Sequence, residues 1–110
     1  MTGMKKVQDD SEVESGAPAQ SDIDAALARA VEDFCMALIV ERNASEHTVR
    51  AYRTDLSDYG SWAHREKVDA LHATHKELRR YLAQLDAARY SRRTVNRRLS
   101  ALRTFFRWLN

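Results

Sequence analysis

The residues best suited to bind a charged partner lie in the stretch after Asp86. It contains no aspartate or glutamate. Its basic residues are Arg89, Arg92, Arg93, Arg97, Arg98, Arg103 and Arg107. Guanidinium groups stay charged at neutral pH, pair with phosphate oxygens, and can donate to both acceptors on the major-groove edge of guanine. Such a concentration of arginine indicates a polyanionic partner.

Two helical faces combine arginine with short polar side chains. Projected at about 100° per residue, the last predicted helix presents such a face. That face comprises Arg92, Arg93, Asn96, Arg97, Ser100, Arg103, Thr104 and Arg107. A similar face near the start of the second predicted helix comprises His47, Arg50, Thr54 and Ser61. The major groove of DNA admits an α-helix, so both faces suit phosphates and base edges.

A charged helix face is often only a solvated surface, and this alternative applies here. The last helix, however, has no acidic residue that could form i,i+4 ion pairs with its arginines. Arg93 repels Arg97 mildly, and Arg103 repels Arg107, at the same spacing. A sequence that keeps these repulsions favours an anionic partner over a merely solvated face.

Ser45 and Ser91 precede the two cationic helices and are predicted N-caps. Helix starts carry partial positive charge and free backbone N–H groups, so both serines could also place a phosphate at the helix end. The alternative is that the two serines only cap their helices.

Composition excludes several other classes of function. Cys35 is the single cysteine, which leaves no intrachain disulfide and no thiolate cluster for zinc. His47, His64, His72 and His75 show no metal-ligand spacing, so we expect neither a metal nor a cofactor nor a small-molecule ligand. No apolar run approaches the length of a membrane span, and no signal peptide is recognisable. We expect a cytoplasmic protein.

The chain divides into a tail and one domain. Residues 1–20 contain four acidic residues, two glycines and Pro18, with little to bury, and are predicted to be a disordered tail. From residue 21 to residue 110 there is no proline, Gly60 is the only glycine, and apolar residues recur every three or four positions. Residues 21–110 are therefore predicted to form a compact all-α domain of four main helices.

The first two helices are delimited by capping residues. Helix one is predicted over Asp22–Glu41, capped by Ser21, and helix two from the Ser45 cap to about Arg65. The apolar stripe of helix one is Ile23, Leu27, Val31, Phe34, Cys35 and Leu38. The buried side of helix two is Val49, Tyr52, Leu56, Tyr59 and Ala63, with Trp62 at its edge.

The second half of the chain follows the same rules. After a connection over residues 66–73 with Val68 and Leu71 turned inward, Thr74 and Glu77 have capping-box spacing at the start of helix three. Helix three presents Leu78, Tyr81, Leu82 and Leu85. Helix four has the stripe Val95, Leu99, Leu102, Phe106 and Leu109, with Phe105 on its flank.

The motifs resemble a known family. They are Ser45-Glu46-His47-Thr48, Tyr52 with Asp55-Leu56, and the run from Ser91 through Thr94 and Arg97-Arg98-Leu99-Ser100-Ala101-Leu102-Arg103 to Phe105-Phe106. They are similar to the N-terminal core-binding domain of tyrosine site-specific recombinases, nearest the XerC and XerD type. This resemblance implies a SAM-like bundle of the phage-integrase N-terminal type that covers one side of a double-stranded recombination site.

The resemblance also implies which residues face the DNA and where the chemistry lies. It places the starts of helices two and four at the major groove, and Thr48 and Thr94 join the projected residues on this basis. The predicted DNA-binding residues are Ser45, His47, Thr48, Arg50, Thr54, Ser91, Arg92, Arg93, Thr94, Asn96, Arg97 and Arg103. The catalytic residues of the family lie in a separate C-terminal domain, so we expect this chain to be a non-catalytic fragment with no catalytic residue of its own.

Further partners and alternatives follow from the same resemblance. It implies a partner recombinase protomer in a synaptic tetramer, which helix one could contact. The residues leave two other functions open: the core-binding domain of a phage or transposon integrase, and a helical protein-interaction module whose arginines bind an acidic partner.

Overall fold

In a computed structural model, residues 19–110 form four α-helices and one short 3-10 turn. Helix α1 spans Gln20–Arg42 and α2 spans Glu46–Glu66. The 3-10 turn Ala70–His72 leads to α3, His75–Ala87, and then to α4, Arg92–Leu109. No strand occurs in this part of the chain. The predicted all-α bundle of four helices is confirmed. The predicted tail lies outside the described residues except for Ala19 and Gln20.

The helix starts follow the capping predictions in three cases out of four. The side chains of Ser45, Thr74 and Ser91 each accept a hydrogen bond from the backbone N–H three residues later, and Thr74 forms a complete capping box with Glu77. The predicted Ser21 cap is wrong. Helix α1 begins at Gln20 after Ala19, whose side chain makes no capping bond, so Ser21 lies within the first turn.

The ends of α1 and α2 depend on left-handed residues that are not glycine. Asn43 has φ 51° and Lys67 has φ 57°. At the end of α1, the Ala44 N–H returns to the Leu38 carbonyl over 3.0 Å, which satisfies a carbonyl that the helix leaves free. Arg42, one residue beyond the predicted end of helix one, is the last residue of α1.

The core lies where α1 and α2 cross beneath α4. The Phe34 ring lies 5.4 Å from the Phe105 ring, and the Tyr59 ring lies 5.4 Å from the Tyr81 ring, both edge to face. Each such buried side chain contributes roughly 2 kcal/mol through loss of water contact. Helix α2 approaches α1 so closely at Gly60 that an added Cβ would lie 2.7 Å from Leu27 Cδ2.

Two aromatic residues are more deeply buried than predicted. Phe105, expected on the flank of the last helix, is 0% exposed, whereas Phe106 from the predicted stripe is only half-buried. Trp62, expected at an edge, is 3% exposed and packs against Tyr59 and Tyr81. Both corrections have one cause: α2 and α4 each meet neighbours on more than one side, so the buried face of each helix is wider than a single stripe.

Candidate nucleic-acid interface

The two cationic helices begin with the same local structure. Ser45 accepts a hydrogen bond from the Thr48 N–H over 3.1 Å and donates to the Thr48 hydroxyl over 3.0 Å. Ser91 and Thr94 repeat this arrangement at 3.1 Å for both bonds. The serine and threonine hydroxyls therefore hold each other at the helix start. The remaining backbone N–H groups of each first turn point away from the helix body.

The predicted residues of α2 and α4 meet in one shallow cleft. His47 and Thr48 from the first turn of α2 line it opposite Arg97 and Ser100 of α4, and Asp55 lies between them. The cleft has a volume of about 280 Å³. The fold thus joins two sequence-distant polar faces into one surface, which we call the α2–α4 surface.

Other predicted site residues lie outside this cleft. Arg50 is exposed and pairs with Glu46 over 3.4 Å, on the side of α2 that faces Ile39. Thr54 is exposed on α2, and Asn96 is exposed on α4. The structure therefore separates Arg50 from the residues around Arg97.

Arg97 is held by a buried carboxylate. Its Nε donates to Asp55 Oδ2 over 3.0 Å, and its Nη2 donates to Asp55 Oδ1 over 2.8 Å. The Asp55 side chain is 3% exposed, whereas the Arg97 side chain is 54% exposed. The hydrogen bonds and the negative charge of Asp55 raise the pKa of Arg97. Arg97 is therefore anchored by Asp55, while about half of its side chain stays exposed to solvent.

Arg98 turns inward and joins three elements. Its Nη1 pairs with Asp58 of α2, whose carboxylate also accepts the Tyr81 hydroxyl of α3 over 2.7 Å. The Arg98 guanidinium lies 4.6 Å from the centre of the Tyr90 ring. With a side chain only 11% exposed, Arg98 is a structural residue of the bundle.

The remaining arginines of α4 have no such partners. Within residues 19–110, four exposed members of the helix form no ion pair: Arg92, Arg93, Arg103 and Arg107. Their charges are available to an external anion. The acidic residues missing from α4 are thus supplied by α2, but only to Arg97 and Arg98.

The interhelical ion pairs were missed in the sequence. The i,i+4 spacing rule concerns pairs within one helix, and α4 contains no acidic residue. Asp55 and Asp58 are three residues apart on α2 and so share a face. In the fold this face lies against the consecutive arginines Arg97 and Arg98 of α4. That i,i+3 spacing of acids among apolar positions was the available signal.

Two further side-chain contacts join α1 to α2 at the surface of the described chain. Asp24 of α1 pairs with His64 of α2 over 2.7 Å, and Glu32 pairs with Arg53 over 3.2 Å.

Among residues 19–110, no three histidine, cysteine, aspartate or glutamate side chains come together as metal ligands. None of the helices described is long and apolar enough to cross a membrane.

Comparison with known proteins places this arrangement in a family. The model of the phage integrase N-terminal SAM-like domain matches residues 31–110. The chain belongs to this family. The match covers the described bundle except the first half of α1, and it includes the α2–α4 surface. Together with the relatives named next, it confirms the resemblance to tyrosine recombinases.

Three curated relatives that the chain matches carry the same name. The chain is 40% identical over 80 residues to "Tyrosine recombinase XerC" of Roseiflexus castenholzii, which is 72% of this chain and 26% of the relative. It is 40% identical over 75 residues to the protein of that name from Staphylococcus epidermidis, covering 68% and 25%. The protein of that name from Oceanobacillus iheyensis is 36% identical over 80 residues, covering 72% and 26%.

The SAM-like domain therefore spans about a quarter of the length of the curated relatives that it matches. The comparison with solved structures produced no significant match.

Proposed function

We propose that the SAM-like domain is the DNA-binding module of a XerC-like tyrosine recombinase. It grips one side of the recombination site through phosphate and major-groove contacts. Strand cleavage and joining belong to a catalytic domain in the rest of the protein, so this domain binds without reacting. The cytoplasm, where the chromosome is accessible, is the compartment in which it acts.

One observation carries the proposal: the start of α2 and the outer side of α4 meet at one surface beside arginines that have no ion-pair partner in the described chain. The two helix starts add partial positive charge and free N–H groups. A groove about 12 Å wide admits a helix of this diameter, and unpaired guanidinium groups supply the phosphate contacts.

The test is a fluorescence-anisotropy titration of the chain with duplex DNA at several salt concentrations. Each phosphate contact releases counterions, so log affinity falls with log salt concentration with a slope of about −0.9 per contact. The Arg92→Ala, Arg93→Ala double variant should bind more weakly, and its slope should be shallower by about 1.8 if both residues contact phosphate.

A matched control removes the same charge elsewhere. Arg65 and Lys67 lie at the far end of α2 and are exposed, so the Arg65→Ala, Lys67→Ala variant should bind like the wild type. No binding at low salt would overturn the proposal and favour a helical module for an acidic protein partner. Equal losses in both double variants would show that only net charge matters.

We further propose that α1 contacts a second recombinase protomer on the DNA. Met36, Ile39 and Val40 are 59%, 48% and 72% exposed near the end of this helix, where a solitary domain gains nothing from apolar side chains. The Ile39→Asp, Val40→Asp variant should bind a single half-site normally but lose cooperativity on two adjacent half-sites in a gel-shift titration. Unchanged cooperativity would remove α1 from the contact.

A further inference from the structure

Two kinds of arginine share α4, and the structure separates them by charge. The exposed arginines typified by Arg93 have no acidic partner within residues 19–110, so each keeps its full positive charge. Arg97 is exposed as well, but the Asp55 carboxylate lies 2.8 Å away and offsets its charge. A neutralised guanidinium attracts phosphate weakly, yet its hydrogen-bond donors remain.

The geometry decides which donors of Arg97 remain. Asp55 takes the Nε–H and one N–H of Nη2. Nη1 of Arg97 donates no hydrogen bond within residues 19–110. The free edge therefore carries one N–H of Nη1 beside the second N–H of Nη2, two parallel donors in a planar group. We call this pair of donors the free edge of Arg97.

The free edge is also fixed in direction. A bidentate bond to a carboxylate that is 3% exposed holds the guanidinium plane, because Asp55 itself is packed between α2 and α4. A fixed direction adds little to the binding of a phosphate, which accepts from many angles. It adds much to the recognition of a base edge, which has one orientation.

We propose that Asp55 is a positioning residue that sets the free edge of Arg97 to read one guanine through its O6 and N7 acceptors. The proposal rests on the DNA-binding function proposed above and adds to it a specificity determinant. Arg97 then selects sequence, whereas the unpaired arginines of α4 hold the backbone.

The first experiment uses the whole chain and a random-sequence duplex library at low salt. Sequencing of the bound fraction should show one position enriched in guanine. Replacing that guanine by 7-deazaguanine removes the N7 acceptor but keeps the base pair. The wild-type affinity should then fall by about tenfold, which is within the range for a bidentate base contact.

The variants distinguish reading from packing. Arg97→Lys keeps the charge and can still pair with Asp55, but it lacks the planar pair of donors; it should bind both duplexes equally. Arg93→Lys is the matched control and should keep the tenfold preference. Arg97→Ala should leave the salt slope unchanged, whereas Arg93→Ala should make it shallower by about 0.9.

Asp55→Asn gives a readout that a merely structural role would not produce. The amide accepts one hydrogen bond instead of two and leaves Arg97 with its positive charge. Affinity for non-specific DNA should therefore rise while the preference for guanine over 7-deazaguanine falls toward one. Circular dichroism melting establishes that the variant is folded; if it is not, Arg97→Lys carries the test alone.

The outcomes separate the two proposals. DNA binding without any guanine preference, or a preference that survives Arg97→Lys, overturns the role of Arg97 and leaves the DNA-binding function standing. A salt slope that becomes shallower in Arg97→Ala assigns Arg97 to phosphate and also overturns it. Absence of all DNA binding overturns both.

Discussion

Helix α4 carries two pairs of consecutive arginines, Arg92–Arg93 and Arg97–Arg98, and the two pairs have different surroundings. The first pair lies at the exposed start of the helix without acidic partners in the described chain. The second lies one turn later, where α2 supplies Asp55 and Asp58. The residue type is the same, but the neighbouring helix gives the second pair acidic partners: Arg98 becomes a structural residue of the bundle, and Arg97 stays exposed but is held by Asp55.

This difference shows that an arginine-rich face is not uniform. Counting arginines gives the sign of the potential, which steers a polyanion to the domain. It does not give the number of phosphate contacts, because a paired guanidinium releases fewer counterions. Stability and recognition are thus divided along a single helix.

The largest expected effect comes from removing Arg98. Arg98→Ala leaves Asp58 without its cation and removes the contact with Tyr90, so we expect the free energy of unfolding to fall by about 2–3 kcal/mol. Urea denaturation followed by circular dichroism measures this. Arg103→Ala, on the same helix without an ion pair, should change stability by less than about 0.5 kcal/mol. Similar losses in the two variants would remove the distinction between inner and outer arginines.

A smaller effect should follow from raising the pH. Burial raises the pKa of Tyr59 and of Tyr81, and the hydrogen bond to Asp58 adds to the effect on Tyr81. As the pH rises, the tyrosines of the unfolded state ionise near their ordinary pKa of about 10, whereas the two buried phenols of the folded state stay protonated. The contribution of the two tyrosines to the free energy of unfolding should be fully present below about pH 10. Above it, this free energy should fall by up to about 1.4 kcal/mol per pH unit for each tyrosine.

Urea denaturation at pH 9 and at pH 11 checks this expectation. Tyr81→Phe removes one of the two titrating groups and should roughly halve the loss between these pH values. It should also lower stability at pH 9, because Asp58 then loses a donor. A loss of equal size in Tyr81→Phe and the wild type would show that the pKa of Tyr81 is not raised in the folded protein.

Much of the fold was predictable because its signals are local. The caps at Ser45, Thr74 and Ser91 each depend on residues within one turn, and apolar periodicity locates the helices between them. The Ser21 cap failed because nothing in the sequence prevents a helix from starting two residues earlier. The burial of Phe105 and Trp62 was not predictable from one stripe, since it depends on how many neighbours a helix meets.

The candidate site shows the same division. The polar faces of α2 and α4 could be recognised by projection, and the convergence of His47 with Arg97 agrees with it. The contact of each predicted residue with DNA stays a prediction. What projection could not give was the state of each arginine, because an ion pair between residues 42 positions apart is decided by packing.

The sequence by itself determined the helices, the caps at Ser45, Thr74 and Ser91, the segregation of charge and the family, because each of these depends on residues close together in the chain or on the motif as a whole. Only the tertiary structure decided which arginines remain free. That choice depends on the distance between α2 and α4 and on the burial of Asp55 and Asp58, and charge–charge interactions depend steeply on both distance and burial.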